Sequence, residues 1–382
     1  MEKQTRRSGG SIQKRGRRSF QIRIFLERDS KGKRKYYSET VHGSRKEAER
    51  LLRERLREKE SVGLVESTPK TLNEHLDRWL KTTVKMSVRR VTLEGYESKL
   101  KTYVREGLGL RRIVDIKSHH IQDLYSQMIS QGLSPKTVRH LHHIISPAFD
   151  NAIDLKLLHT NPCTKVKLPK SQRREMNCYS PEEVTIFLES ARSDRYHATF
   201  AFAIETGMRP EEYLGLKWDD IDFQHSCVSV VRAVVNTKGG GFEFTEPKTP
   251  RSRRNIPLSR SLVSLLKTHR RQQLERRLRL GEAYCDLNLV FPSEVGTPTQ
   301  TGNLNRRHFK KIITRAGLKE IRLYDLRHTT ATLLLLKGVN PKIVSERLGH
   351  SSVSLTLDTY SHVLPTMQQG ATSHLESVMF GL

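Results

Sequence analysis

At Ser134-Pro135, Ser180-Pro181 and Asn340-Pro341 a capping side chain stands directly before a proline, and each pair heads a run of apolar residues at helical spacing. The side-chain oxygen satisfies one of the free donors of a helix start, and proline at the first helical position gives up an N–H that has no partner there. Glycines close such runs, with Gly207 after residues 196–205, Gly338 after Leu336 and Gly349 after Leu348. The punctuation predicts many short helices. Strands are confined to few places. Phe20, Ile22, Ile24 and Leu26 alternate with Gln21 and Arg23, so 11–14, 20–26 and 35–41 read as three strands with a turn at Asp29-Ser30-Lys31-Gly32. Residues 228–235 and 242–245 read as paired strands across Gly239-Gly240-Gly241, with 255–258 as a third. The fold class is mainly α with small β-sheets (α+β).

Breaks in pattern set the domain limits. Residues 1–65 form a three-stranded sheet backed by a helix, which Ser44 and Glu47 cap and whose stripe is Ala48, Leu51, Leu52 and Leu56. Residues 68–164 form a helical bundle, opened by Thr71 with Glu74 and carrying Leu72, Leu76, Trp79 and Leu80 on its first buried face. Residues 165–177 are a basic, proline-containing linker, and 178–382 a mostly helical domain with a small antiparallel sheet and a tail helix over 366–382.

A formal charge of +27 points to a polyanionic partner, nucleic acid before anionic membrane. Residues 1–65 alone hold 20 Lys/Arg against 9 Asp/Glu, a disproportionate share of that excess. No apolar run approaches the roughly 18–20 residues of a membrane span, and the basic N-terminus lacks the apolar core of a signal peptide, so a cytoplasmic protein is expected. Cys163, Cys178, Cys227 and Cys285 match no zinc or disulfide spacing.

The chemistry gathers in 323–363, where three short helices in series put Arg327, His350 and Tyr360 at helix ends or turns. Asp325-Leu326-Arg327-His328-Thr329, Leu348-Gly349-His350-Ser351 and Asp358-Thr359-Tyr360-Ser361-His362 follow one another there. Upstream stand Thr206-Gly207-Met208-Arg209-Pro210-Glu211-Glu212 and Pro247-Lys248-Thr249 ahead of Arg253-Arg254-Asn255. Five motifs in this order, over about half the chain, resemble the tyrosine recombinase (phage integrase) family. The resemblance implies that Tyr360 attacks a scissile DNA phosphate to form a 3′-phosphotyrosyl link. Two guanidiniums, Arg209 and Arg327, suit the charge that spreads over the non-bridging oxygens, and His350 adds a donor. By resemblance Lys248 is the general acid for the 5′-hydroxyl and Glu212 the carboxylate that orients Arg209. The chain departs from the family at Tyr324, where a histidine usually stands three residues before the second arginine. A phenol with a pKa of roughly 10 is a poor base at neutral pH. His328 reads as a packing residue. The scheme calls for no metal and no cofactor.

The resemblance further implies that the N-terminal domain binds arm-type sites, through Gln13, Arg15, Arg18, Gln21 and Arg23, while Arg89, Arg90, Lys136 and Arg139 of the bundle meet the core-type site. Arg306, Arg307 and Lys310 are candidates for backbone phosphates in the last domain. The partners so implied are double-stranded DNA, further copies of the chain in a tetramer on DNA, and an accessory directionality or DNA-bending factor; no membrane is involved. Two rival readings use the same residues: a type IB topoisomerase acting on one duplex, and a DNA-binding protein in which Tyr324 marks lost catalysis.

Overall fold

Alternation of apolar and polar residues builds the first sheet. In the computed structural model, which describes residues 10–28, 32–61, 70–170, 177–237, 240–246, 253–360, 376 and 378–381, strands β1 (Gly10–Gly16), β2 (Ser19–Arg28) and β3 (Arg34–His42) pair antiparallel in sequence order. Each is longer than its apolar stretch suggests, because ladder pairing continues past the last buried side chain. Opposite pairs Ile12–Ile22 and Gly10–Ile24 lie on one face and Gln13–Gln21 and Ser11–Arg23 on the other. Ile22, Ile24 and Ala48 of helix α1 (Arg45–Ser61) are fully buried. Gly10 is needed at this contact, since a Cβ there would stand 2.7 Å from Leu52 Cδ1. Ser44 and Glu47 cap α1 reciprocally.

The chain divides into two units, Met1–Arg173 and Arg174–Leu382. Unit one continues with α2 (Leu72–Trp79), a π turn over Leu80–Val84, α3 (Lys85–Ser87), α4 (Arg90–Tyr103), α5 (Ser118–Ser130) and α6 (Pro135–Asp154). Thr71 and Glu74 form the capping box of α2, and Ser134 caps α6 ahead of Pro135. The apolar stripes meet in a core that includes Leu76, Trp79, Leu100, Ile121, Tyr125, Leu141, Ile145 and Phe149.

Unit two opens with α7 (Pro181–Ala191), capped by Ser180 and Glu183, then α8 (His197–Thr206) and α9 (Pro210–Leu214). A three-stranded sheet of β4 (Ile221–Asp222), β5 (Cys227–Val230) and β8 (Arg254–Pro257) follows, with a separate hairpin of β6 (Ala233–Asn236) and β7 (Phe242–Thr245). The single strand expected over 228–235 is thus two strands in two sheets. The break falls at Val231 and Arg232, where Arg232 turns to pair with the buried Asp220 and interrupts the ladder. Helices α10 (Arg260–Leu280), α11 (Thr301–Asn303), α12 (Lys310–Ala316), α13 (Asp325–Leu336), α14 (Pro341–Leu348) and α15 (Val353–Tyr360) complete the unit, with a π segment over Leu304–Phe309 leading into α12. Among the described residues no helix is long and apolar enough to cross a membrane. The turn residues Asp29, Ser30 and Lys31, Gly239, the Pro247-Lys248-Thr249 motif, His362, part of the linker and most of the expected tail helix lie outside the described residues.

Candidate active site

Two helix C-termini hold the two arginines. Gly207 ends α8 in the left-handed region, and its carbonyl accepts from Arg327 Nη1 at 2.8 Å. Gly349 ends α14 in the same conformation, and its carbonyl accepts from Arg209 Nη2 at 3.2 Å. Each arginine is therefore fixed by a helix-capping glycine of a different motif, Arg327 by the one that holds Arg209 and Arg209 by the one that holds His350. The partial negative charge at a helix C-terminus favours a cation there. Arg327 is 2% exposed, and its Nη2 is buried with no hydrogen-bond partner among the described residues. Burial, then the like charge of Arg209, pushes the Arg327 guanidinium down to about 10, so it is still a cation at neutral pH. For Arg209, burial pulls downward, but Glu212 and the side chain of Tyr324 outweigh it and the net shift is upward.

Glu212 is buried and serves two arginines. Arg209, at the N-cap of α9, gives it the backbone N–H at 3.0 Å and Nη1 at 2.7 Å. Arg254 on β8 donates from Nη2 to Glu212 Oε2 at 2.9 Å and from Nε to the Arg347 carbonyl at 2.6 Å. Desolvation opposes ionisation of Glu212, yet Arg254 first and Arg209 next hold its carboxyl below the usual range. Arg254 thereby ties β8 to α9 and to the last turn of α14. Sequence reading placed it in a motif without giving it a task.

The remaining groups stand on α13, α15 and the turn after α14. His350 Nδ1 lies 2.7 Å from Thr356 Oγ1, a pairing that with the threonine as donor leaves the ring hydrogen on Nε2. Burial and then the charges of Arg327 and Arg209 drive His350 down to about 3, so it is neutral. Tyr360 is the last residue of α15 and is fully buried, packed with Ala331, Leu335, Val344 and Leu348. Burial raises its phenol pKa although Arg327 pulls the other way. Its Oη lies 2.7 Å from His328 Nδ1. His328, read from sequence as a packing residue, thus touches the candidate nucleophile. Tyr324 caps α13 without a side-chain cap bond, is 38% exposed and meets the His328 ring edge-on at 5.4 Å. Arg209, Glu212, Tyr324, Arg327, His350 and Tyr360 share one neighbourhood, linked by these bonds and by the charges each exerts on the others. Lys248 lies outside the described residues.

The expected DNA-contact residues are scattered. Gln13, Arg15 and Arg18 are exposed, and Arg15 is fixed by two bonds to Gln21 Oε1 at 3.0 and 2.7 Å. Arg23 lies over the Tyr36 ring at 4.6 Å. Arg89 precedes α4, and Arg90 pairs with Glu94 at 3.0 Å. Lys136 is exposed on α6, whereas Arg139 Nε donates to the Pro169 carbonyl at 2.8 Å. Arg306 and Arg307 are exposed in the π segment, and Lys310 pairs with Glu320 at 2.5 Å.

Comparison with known proteins matches residues 179–367 to the model of the phage integrase family and 71–129 to that of the phage integrase N-terminal SAM-like domain. A protein named tyrosine recombinase XerC-like from Caldanaerobacter subterraneus subsp. tengcongensis is 34% identical, over 96% of this chain and 97% of its own. In fold the chain is similar to the Tn1549 transposon integrase in complex with transposon right end DNA, with a TM-score of 0.66 at 21% identity, covering 76% of this chain and 95% of that one. It is also similar to a lambda integrase tetramer bound to a Holliday junction, with a TM-score of 0.56 at 21% identity, covering 89% of this chain and 95% of that one.

Proposed function

This chain belongs to the phage integrase family of tyrosine-type site-specific recombinases, and on that premise we propose that it cuts and rejoins DNA through a phosphotyrosyl link at Tyr360 to integrate or excise a mobile element or prophage. The observation that carries the assignment of the site is the orphaned, buried Nη2 of Arg327 beside Arg209 and His350. A buried cation with a spare donor is costly unless an anion completes it. A phosphodiester does so. Its non-bridging oxygens take the two guanidiniums, and the neutral His350 offers an Nε2–H to the oxygen that gains charge in the transition state. Glu212 keeps Arg209 in register. Lys248, between β7 and β8 in the chain, is the candidate acid that protonates the departing 5′-oxygen. Tyr324 acts through Arg209 rather than as a base.

On this reading the sheet's polar face, with Gln13, Arg15, Gln21 and Arg23, and the β1–β2 turn, with Arg18, bind arm-type DNA, while Arg89, Arg90, Lys136 and Arg139 approach the core-type duplex and Arg306, Arg307 and Lys310 serve phosphates. Residues 1–65, 68–164 and 178–382 act as three domains joined by the basic segment 165–177. Four copies work together on a Holliday junction, in the cytoplasm, with an accessory directionality factor choosing between integration and excision. The likeness of fold to a tetrameric integrase on such a junction supports the assembly.

Covalent trapping tests the assignment. A nicked suicide duplex spanning the element's junctions, incubated with EDTA, should give a denaturation-resistant 3′-linked adduct with the unaltered protein and none with Tyr360→Phe. Equal adduct from the phenylalanine variant moves the nucleophile elsewhere. Tight binding without adduct makes the chain a site-occupying protein.

A further inference from the structure

We propose that His328 is the base that takes the proton of Tyr360, the task that falls to no group at position 324 in this chain. The inference rests on the reading of Tyr360 as nucleophile. His328 Nδ1 and Tyr360 Oη are 2.7 Å apart, and the bond spans two helices, joining the first turn of α13 to the last residue of α15. The Tyr360 ring lies 5.7 Å from that of His328, whose other neighbour is the edge-on Tyr324. A base must be within hydrogen-bond reach of the proton it removes. No other described side chain is recorded in a hydrogen bond with Oη.

The surroundings of the ring keep it unprotonated but weakly basic until substrate arrives. Burial, with Arg327 and Arg322 acting against Asp325, holds the imidazole down to about 4 and hence neutral, with a lone pair free for the phenol hydrogen when Nε2 carries the ring proton. His350 is coupled electrostatically to the same ring, and Cys178 and Tyr324 to the phenol. A phosphodiester held by Arg209 and Arg327 brings a negative charge that offsets the guanidiniums, so substrate itself raises the basicity of His328. The step balances. The Oη–H bond breaks and its proton passes to Nδ1. The Oη–P bond forms while the bond from phosphorus to the 5′-oxygen breaks, and that oxygen takes a proton from the general acid. On rejoining, the 5′-hydroxyl gives its proton back to the conjugate base of the general acid and bonds to phosphorus, the Oη–P bond breaks, and the imidazolium returns its proton to Oη.

The test uses the full chain on the suicide duplex under single-turnover conditions, comparing unaltered protein, His328→Gln, His328→Ala and Tyr360→Phe. Glutamine keeps a hydrogen-bonding side chain but has no basicity. With the duplex still bound, His328→Gln should form adduct about 100-fold to 10,000-fold more slowly, the span of general-base catalysis. Its rate should climb with pH where that of the unaltered protein is level, and added imidazole should restore part of the His328→Ala rate. A His328→Gln rate within about twofold of the original overturns the proposal while leaving Tyr360 as nucleophile. So does a slow rate with unchanged pH dependence and no imidazole rescue, which marks His328 as a prop for the phenol. Should neither variant fold, as thermal unfolding would reveal, the pH–rate profile of the unaltered protein decides. A single inflection between pH 4 and 8 supports the base, and a flat profile overturns it. Adduct from Tyr360→Phe, or none from the unaltered protein, removes the reading beneath the proposal and the proposal with it.

Discussion

Glu212 shows how one carboxylate can set the position of two cations. It is 4% exposed, and its two oxygens are shared between Arg209 and Arg254. Removing the charge strands both guanidiniums in a poorly solvated place. Glu212→Gln should therefore cost about 3 kcal/mol of stability, within the range for breaking a buried pair, as urea unfolding would measure. The sign of its pH dependence follows from the downward shift of the folded carboxyl. Stability from Glu212 is complete above its unfolded pKa, about 4.5, and is lost as pH falls through the lower folded value. Acid unfolding of the unaltered chain should be steeper there than that of Glu212→Gln, and parallel curves would disprove the linkage. The sequence made Arg209, Arg327, His350 and Tyr360 legible because each sits in a short local motif. It gave Arg254 no task and His328 only a packing one, because the partner of each is far away in the chain. The Arg254–Glu212 pair spans 42 residues and the His328–Tyr360 pair 32, and nothing in either local pattern marks the partner.

Helix termini, at the scale of elements, do more than stop helices. The carbonyl of Gly349 receives Arg209, the next residue is His350, and φ at Gly349 is 68°. A Cβ there would lie 2.9 Å from Arg254 Nη1. Gly349→Ala combines left-handed strain of about 1 kcal/mol with a push on the arginine that holds Glu212. It should slow adduct formation by about tenfold or more, since small misplacements at a reacting centre are expensive. Gly338 supplies the control. Its φ is 75°, but a Cβ there meets nothing within 4 Å, so Gly338→Ala carries the same strain and should leave the adduct rate near that of the unaltered chain. Equal slowing by both would attribute the effect to strain alone. Caps and glycines were the most readable part of the sequence, and the helices they bound follow them closely. The split at Val231 and Arg232 was not readable, because residues 228–235 are apolar enough for one strand and the partner that draws Arg232 out of line, Asp220, stands 12 residues earlier.

The charge of the whole molecule, +27, must be spent on more than one stretch of DNA if the proposed division of labour holds. Arg15, braced by Gln21, and Arg23, laid over Tyr36, are fixed on the polar face of the first sheet. Preorganised guanidiniums lose little freedom on meeting a phosphate. Each phosphate contact releases about 0.9 counterions, so a chain without both arginines should bind arm-type DNA with a salt slope shallower by about 2. The double variant Arg15→Gln/Arg23→Gln, titrated by fluorescence anisotropy from low to moderate salt, tests this against two duplexes. On the arm-type duplex the slope should fall. On the core-type duplex it should match that of the unaltered protein, because the residues proposed for that site lie elsewhere in the chain. A like reduction on both duplexes would mean that the first sheet adds charge without choosing a site, and the arm assignment would fail. Loss on the arm-type duplex with no change in slope would instead mean that the two arginines read bases there rather than phosphates.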